Sequence, residues 1–309
     1  MQQPLQRKKP FPFHILVFLA PAVAVYTIFM IYPLVDSLRL SFFTQNAQNI
    51  ETFVGSQNYV RLLTDPLWAP RFWGAFRNNF AFFAVHMLVQ NPLGLLLATL
   101  LSSGGRGRAV YRTLIFTPTL LSVVIIGFIW QLILNPLWGI ARGLLQVIGL
   151  GALFKPWLGL PETALITLSL ISVWQFVGIP MMLFYTALIG IPDELTEAAR
   201  VDGATPWDIF WRIKFPLILP TVGIVAILTF VGNFNAFDLI FTVKGGLAGP
   251  DFAADIFGTF FYRTFFGYQL QLGNPTMGAT VAAMMFLIIL SGVLLYTLVW
   301  QRRVQTYEL

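Results

Sequence analysis

The chain has 309 residues, of which 57% are hydrophobic and only 10% are charged, and its mean hydropathy is +0.75. Soluble domains carry about 25% charged residues, so this composition indicates a protein that crosses a membrane several times and contacts lipid. The net charge of +6 comes from scattered basic residues at the ends of apolar runs, which favours membrane orientation over nucleic-acid binding. Cysteine is absent, which excludes disulfides, thiolate metal sites and cysteine nucleophiles.

Six apolar runs predict six membrane-spanning helices and an all-α membrane protein. A spanning helix needs about 20 predominantly apolar residues, and each run has that length. The first run continues well beyond a weak cleavage-like motif at residues 22–24, so we interpret it as an uncleaved span. The predicted spans are residues 13–34, 79–101, 113–134, 163–189, 217–241 and 277–300.

Basic residues predict the orientation of these spans. Cytoplasmic loops are enriched in Lys and Arg, and the loop at residues 102–112 is short and carries three arginines. With both termini inside, the cytoplasmic segments hold 11 of the 19 basic residues. We therefore expect both termini to be cytoplasmic, with tails at residues 1–12 and 304–309 and one six-span transmembrane domain at 13–303. The outer segment at residues 35–77 is expected to carry short surface helices.

A long polar stretch separates the fourth and fifth spans. Residues 191–220 read IPDELTEAARVDGATPWDIFWRIKFPLILP, and their order predicts two short helices joined by a turn. Pro192 and Asp193 are typical of a helix start, and Gly203 of a left-handed helix end. Thr205 and Asp208 predict the cap of a second helix. A pair like this is expected to lie on the membrane surface and to contact a partner.

The same stretch resembles a known family. Glu197, Ala198 and Ala199, then Gly203, nine residues, and Ile213 to Pro216 are similar to the EAA loop of the membrane subunits of binding-protein-dependent ABC importers. The sequence EAARVDGA, followed by Pro216 and Pro220, resembles the sugar-importer branch of this family. Phe215 stands where the family usually has Leu, which preserves bulk and apolarity. Without this spacing, a simple interfacial helix would be the preferred interpretation, while a DNA-reading helix-turn-helix is disfavoured by the near-zero charge of the loop.

The resemblance implies both partners and roles for residues. In this family the loop, here residues 191–216, is a coupling helix that sits in a cleft of a cytoplasmic ATPase, and the transporter belongs to the plasma (inner) membrane of a prokaryote. It also implies a heterodimer with a second homologous permease, two ATPase copies and an extracytoplasmic sugar-binding protein. The positions implied to couple to the ATPase are Glu197, Ala198, Ala199, Asp202, Gly203, Ala204, Ile213 and Pro216.

Nucleotide chemistry is not expected on this chain. The sequence has no GxxxxGK[ST] motif, so it lacks the backbone cradle of a P-loop. ATP and magnesium are therefore expected on a separate ATPase, and the chain itself is predicted to be a permease with no cofactor and no metal.

Polar residues inside the spans are the candidates for a substrate pathway. A polar group facing lipid is costly, so such groups face either a pathway or another helix. Amides and aromatic faces suit a neutral polyhydroxylated ligand, because amides both donate and accept hydrogen bonds and rings stack on sugar faces. Structural ties between helices are the alternative role of the same amides. The predicted pathway residues are Gln131, Trp174, Gln175, Gly178, Asn233 and Asn235.

Two other classes of protein remain as alternatives. A secondary transporter or channel that works without an ATPase would explain the spans equally well, although the span centres are almost free of charged residues that a proton relay would use. An intramembrane enzyme lacks a metal cluster or a nucleophile-base pair in this sequence. A disaccharide or similar glycoside is the preferred substrate, since glycerol phosphate would require a cationic group deep in a span.

Overall fold

The computed structural model of the chain describes residues 13–45, 50–269 and 271–302. These residues are mostly helical, and four of their helices are long and apolar enough to cross a membrane: Val17–Leu40, Ala69–Ser102, Pro206–Lys244 and Pro275–Trp300. Two bent helix pairs bring the number to six if each pair is one span. The predicted tails, residues 1–12 and 304–309, lie outside the described ranges.

The α-helices vary from one turn to six turns, and several spans consist of two consecutive helices. In chain order they are α1 (Phe13–Tyr26), α2 (Tyr32–Leu40), α3 (Gln57–Thr64), α4 (Ala69–Val85), α5 (Asn91–Ser102), α6 (Arg108–Phe116), α7 (Val123–Ile133), α8 (Ile140–Val147), α9 (Pro161–Phe176), α10 (Gly178–Ile189), α11 (Asp193–Val201), α12 (Pro206–Ile209), α13 (Phe215–Phe234), α14 (Asp238–Lys244), α15 (Phe257–Phe266) and α16 (Pro275–Leu295).

The third and fourth predicted spans are each divided by a bend. The third, predicted at 113–134, bends by 97° between Arg108–Leu120 and Val123–Ile133. The fourth, predicted at 163–189, bends by 43° between α9 and α10. Pro118 and Pro180 lie at these bends, and proline removes a backbone donor and crowds the carbonyl four residues earlier.

The predicted fifth span is both longer and interrupted. Helix α13 ends at Phe234, and α14 begins at Asp238 after a short non-helical link in which Phe237 has φ −153°. At its other end, α12 continues through a π-helical turn, Phe210–Lys214, directly into α13. The prediction of a second short helix separate from the span is therefore wrong.

Three of the four π-helical turns in the described ranges let a helix continue past a proline. In each turn, the residue before the proline donates its N–H to the carbonyl five residues earlier, as Phe215 does to Phe210. The wider turn leaves room for the proline ring, and proline at the second position of the next helix needs no donor. The turns and their prolines are Thr27–Ile31 with Pro33, His86–Gln90 with Pro92, and Phe210–Lys214 with Pro216.

A small sheet corrects the all-α prediction in the outer segment at residues 35–77. Strand β1 (Phe43–Gln45) pairs antiparallel with β2 (Glu51–Phe53). Helix α3 follows, and Asn58 at its start donates hydrogen bonds to the carbonyls of Ser41 (2.9 Å) and Phe43 (2.7 Å). The predicted surface helix is confirmed by α3, whereas strands of three residues are too short to be visible as an alternating pattern.

The second and fourth spans pack most closely where a glycine permits it. A Cβ atom on Gly94 of α5 would lie 3.0 Å from the backbone nitrogen of Met181 and 3.1 Å from the Pro180 ring, both in α10. The neighbouring apolar cluster, which includes Ala98, Met181 and Phe184, is almost fully buried. Small residues allow such close backbone approach between membrane helices.

Gly94→Leu is expected to destabilise the protein by about 1–3 kcal/mol, because the added side chain overpacks the contact between α5 and α10. Thermal unfolding in detergent measures this effect. Gly74→Leu is the matched control, since nothing lies within 4 Å of its Cβ position in the described structure. Equal melting temperatures for the two variants would contradict the packing assignment.

Candidate functional site

A cavity of ≈ 450 Å³ lies among the second, fourth and fifth spans. It reaches the non-helical link between α13 and α14, where residues 235–237 form part of the wall. Most of the lining is apolar, with a polar group on each of the three spans. The side chains used below are Phe82, His86, Gln90, Ser172, Phe176, Thr229, Asn233, Asn235, Phe237 and Asp238.

Asn233 ties two spans together and retains an unused polar atom. Its side-chain Nδ2 donates to the backbone carbonyl of Thr229 (2.7 Å), and its backbone carbonyl accepts from Asn79 Nδ2 (2.9 Å). Asn233 is 6% exposed, and its Oδ1 has no hydrogen-bond partner within the described part of the chain. Buried polar atoms are normally paired, so this oxygen is a candidate acceptor for a ligand.

His86 and Ser172 form a polar pair across the second and fourth spans. His86 Nδ1 lies 2.8 Å from the carbonyl oxygen of Phe82, and Nε2 lies 3.0 Å from Ser172 Oγ. A carbonyl oxygen accepts only, so Nδ1 carries the proton and Nε2 accepts from the serine hydroxyl in the neutral ring. The lone pairs of Ser172 Oγ therefore remain available to a donor in the cavity.

Two of the six predicted pathway residues, Asn233 and Asn235, line the cavity. Asn235 is exposed, and its Nδ2 donates to the carbonyl of Val231 (2.9 Å). The other four residues lie outside this wall and have other contacts, so their pathway role stays a prediction from sequence.

Gln175 and Gly178 lie where the third and fourth spans bend. Gln175 Nε2 donates to the backbone carbonyl of Leu121 (3.1 Å). The backbone carbonyl of Gln175 accepts from Thr119 Oγ1 (2.9 Å). A Cβ on Gly178 would lie 2.9 Å from Phe116 Cα, so this position requires glycine. The two bends thus pack against each other.

Trp174 and Gln131 make contacts near the third span. The ring of Trp174 meets that of Trp130 edge to face, with centroids 5.6 Å apart. Gln131 Nε2 donates to the carbonyl of Val243 (2.7 Å), which ties α7 to α14. Gln131 also lines a second, smaller cavity of ≈ 310 Å³ beside Lys244, whose ammonium donates to the carbonyl of Leu158.

Sequence reasoning did not assign pathway roles to His86, Ser172 or Thr229. A histidine in the middle of an apolar run was the available signal for His86, because intramembrane ionisable residues are rare and face a cavity or partner. Hydroxyl side chains in helices gave no signal, since they commonly bond the carbonyl one turn earlier, as Thr229 does with Val225.

The predicted start and end of the first helix in the polar stretch after the fourth span are confirmed. Helix α11 begins at Asp193, and Gly203 has φ +84°. The N–H of Ala204 donates to the carbonyl of Ala199 (2.9 Å) and that of Gly203 to Arg200 (3.0 Å), which is the Schellman pattern. This motif ends α11 and turns the chain, so that only a short turn separates α11 from α12.

The second helix of this stretch begins with the predicted cap. Asp208 N–H donates to Thr205 Oγ1 (3.2 Å), and Thr205 N–H donates to the Asp208 carboxylate (3.4 Å). Pro206 occupies the first turn, where its missing N–H has no consequence.

The exposed surface of the two helices is partly apolar. Val201 is 87% exposed and Trp207 71% exposed, and the carboxylate-bearing Glu197 is also exposed. Of the other positions implied to couple, Ala198, Asp202 and Gly203 are exposed, and Ala199, Ala204, Ile213 and Pro216 are half-buried.

Trp207 and Trp211 meet edge to face with centroids 5.5 Å apart. Exposed apolar groups beside charges are typical of a surface that a partner covers.

Comparison with solved structures shows which fold this is. The chain is similar to a subunit of a bacterial ABC transporter involved in the import of the acidic polysaccharide alginate, with a TM-score of 0.79 and 21% identity over 95% of this chain and 96% of that chain. The two chains therefore share one fold over nearly their whole length.

Residues 90–305 match the family described as the binding-protein-dependent transport system inner membrane component, and the chain belongs to this family. It is 33% identical to the probable ABC transporter permease YurN of Bacillus subtilis, covering 86% of this chain and 91% of that protein. The lactose permease LacF of Rhizobium radiobacter is 28% identical over 88% of this chain and 89% of its own length. The trehalose/maltose permease MalF of Thermococcus litoralis is 28% identical over 89% and 90%. The resemblance drawn from the loop at 191–216 is confirmed.

Proposed function

We propose that this chain is one of two permease subunits of an ATP-driven importer that takes up a neutral carbohydrate, a disaccharide or a similar glycoside. The observation that carries the proposal is the cavity itself, which presents uncharged hydrogen-bonding groups and aromatic rings next to the break in the fifth span. Amides, hydroxyls and rings are the groups that recognise the polar edges and apolar faces of a sugar.

The charge of the wall supports a neutral ligand. Within the described residues, no Lys or Arg lines the cavity, and the one carboxylate in its wall is the exposed Asp238. A phosphorylated or acidic substrate would be repelled there and would find no cationic partner. The names of relatives such as LacF and MalF, which refer to lactose and to trehalose and maltose, agree with this class.

We infer that the cytoplasmic contact to the ATPase is made by α11, the turn at Gly203 and α12. Glu197 would pair with a basic group of the ATPase, and the exposed Val201 and Trp207 would fill an apolar cleft around it. Aromatic residues flanked by charges are the usual energetic anchors of such interfaces. This orientation also places both termini of the chain in the cytoplasm.

The helix that begins at this contact also lines the cavity. Helix α12 continues through the π turn into α13 without a break, and α13 carries Thr229 and Asn233. A push on α12 during closure of two ATPase copies would therefore be transmitted along α13 to the cavity. We infer that this rocking, against the bent third and fourth spans, switches access of the cavity from outside to inside.

A second homologous permease, an extracytoplasmic binding protein and lipid complete the proposed assembly. In the first span, residues 17–35 are all exposed, so this surface is available to a second permease or lipid. ATP and magnesium would be held by the ATPase subunits, and this chain would act without a cofactor of its own in the plasma membrane of a prokaryote.

The composition of the native complex and its transport activity test this function together. A tagged chain extracted in mild detergent is expected to copurify with one second permease and two ATPase copies, as counted by native mass spectrometry. Proteoliposomes that contain this complex and its binding protein are expected to accumulate a labelled disaccharide only when ATP is enclosed. A chain that transports alone or as a homo-oligomer would instead establish the secondary-transporter alternative.

A further inference from the structure

The π-helical turn His86–Gln90 presents two polar side chains to the cavity from the second span. The turn precedes Pro92, which it accommodates, and Asn91 N–H donates to the carbonyl of His86 across it. His86 and Gln90, at the two ends of the turn, both line the cavity. Single π turns in helices occur frequently at functional sites, because they shift the register and redirect side chains.

The position of this turn is set by a contact with the fifth span. Asn91 Nδ2 lies 3.1 Å from Thr229 Oγ1, and Asn91 Oδ1 lies 3.2 Å from the same hydroxyl. Both residues are more than nine-tenths buried. The contact holds Gln90, the neighbour of Asn91, at a defined place in the wall rather than on a mobile surface.

Gln90 has hydrogen-bonding capacity that the protein does not use. The residue is only 6% exposed, and its Oε1 is buried with no hydrogen-bond partner in the described ranges. An unpaired buried amide oxygen costs about 1–3 kcal/mol. A donor in the cavity would remove this cost, and a ligand hydroxyl is such a donor.

His86 and Ser172 supply further acceptor capacity in the same cavity. Because Ser172 donates its proton to His86 Nε2, the serine oxygen accepts rather than donates toward the cavity. Oε1 of Gln90 and Oγ of Ser172 are thus both acceptors. Their common chemistry matches the O–H groups of a carbohydrate, which are donors.

We propose that the turn His86–Gln90, together with Ser172, forms a specificity-determining subsite that binds a hydroxyl group of the transported sugar from the side of the second span. This inference rests on the proposed function and extends it, because it assigns discrimination between sugars to residues of the second span. A sugar that lacks the matching hydroxyl would leave the Gln90 oxygen unpaired, and it would be transported less well.

Gln90→Met tests the subsite, because methionine has a similar shape and cannot form these hydrogen bonds. The assay is uptake of lactose, trehalose or maltose, and of their monodeoxy analogues, by proteoliposomes of the complete importer with its binding protein. The measured quantity is the uptake rate of each deoxy analogue divided by that of its parent sugar. The preference of the binding protein cancels when this ratio is compared between variant and wild type.

One deoxy analogue is expected to show a ratio about 5- to 10-fold higher in Gln90→Met than in the wild type, which corresponds to the loss of one hydrogen bond. Leu88→Met is the control, because Leu88 lies in the same turn and is 75% exposed, away from the cavity. Its ratios are expected to match the wild type. If Gln90→Met does not assemble, Gln90→Asn, which shortens the amide by one methylene, is expected to raise the ratio of the same analogue.

Two results would overturn the proposal, and they differ in their meaning. If the wild type takes up sugar and both Gln90 variants keep the wild-type ratios of deoxy analogue to parent sugar, the proposed subsite is refuted, while the carbohydrate importer still stands. Failure of the wild-type assembly to take up any of the three sugars would remove the proposed function, and the subsite with it.

Discussion

Glu197→Lys is expected to abolish ATP hydrolysis stimulated by substrate and binding protein, while the permease itself still folds and inserts. Glu197 is exposed in the middle of α11, and its side chain makes no hydrogen bond or ion pair within the described residues, so reversal of its charge leaves the fold intact. Like charges brought together at an interface cost several kcal/mol. A penalty of about 2 kcal/mol would already weaken ATPase binding about 30-fold. Copurification of the ATPase and its stimulated hydrolysis rate measure the effect.

Two further variants separate coupling from general charge effects. Glu197→Gln is expected to give an intermediate loss, since it removes the pairing charge without repulsion. Glu162→Lys makes the same charge change at an exposed position in the first turn of α9, at the opposite end of the fourth span, and should leave hydrolysis unchanged. Normal stimulation in Glu197→Lys would contradict the coupling role of α11.

Arg263→Met is expected to destabilise the protein around α15 by about 3–5 kcal/mol, because it leaves a buried carboxylate without its partner. Arg263 in α15 is fully buried, and its Nη2 lies 2.7 Å from Asp255 Oδ2. Nη1 also donates to the carbonyl of Gly246 (2.6 Å), which holds the loop after α14. Thermal unfolding of the purified complex in detergent measures the loss.

The pH dependence of this variant has a defined sign. Burial raises the pKa of the Asp255 carboxyl above its ordinary value, while Arg263 and Thr259 lower it. A carboxyl whose pKa is raised in the folded state lowers stability as the pH rises above its unfolded value, since the unfolded state then releases the proton more readily. Without Arg263 this pKa rises further. The defect of Arg263→Met is therefore expected to be smaller near pH 5 than near pH 7.

Two comparisons identify the unpaired charge as the cause. The double variant Asp255→Leu with Arg263→Met removes both charges and is expected to recover much of the stability. Arg39→Met removes an exposed arginine from its pairs with Asp36 and Glu51, and it should change the melting temperature little. A double variant as unstable as Arg263→Met would show that packing of the side chain, rather than charge, dominates.

Local sequence signals were sufficient wherever the interaction that decides the structure is itself local. The cap formed by Thr205 and Asp208, and the left-handed Gly203, involve residues within five positions of one another. The lengths of the apolar runs likewise follow from the thickness of the bilayer, which is a property of the solvent. Both kinds of signal predicted where the apolar helices lie and gave the boundaries of α11, while the six predicted spans agree with the structure when each bent helix pair is taken as one span.

Other features depend on contacts between segments that are distant in sequence. The bend at Gly178 becomes intelligible when Phe116 is seen packed against it, 62 residues earlier in the chain. The π turns depend on where a proline is tolerated, and a proline in an apolar run is equally compatible with a kink, a break or a wider turn. Sequence reasoning therefore missed the sharp bend of the third span and the continuity of α12 with α13.

The sequence by itself determined that this protein is a multi-span membrane subunit with an EAA loop, because hydropathy, charge placement and a fixed local spacing are readable without knowledge of the fold. The tertiary structure alone decided which polar side chains meet. Asn233 lines the cavity, whereas Gln131 is used to tie α7 to α14. Placing an amide in an apolar span costs the same free energy whether it lines a cavity or ties two helices together. Its role therefore depends on which groups the fold places opposite to it.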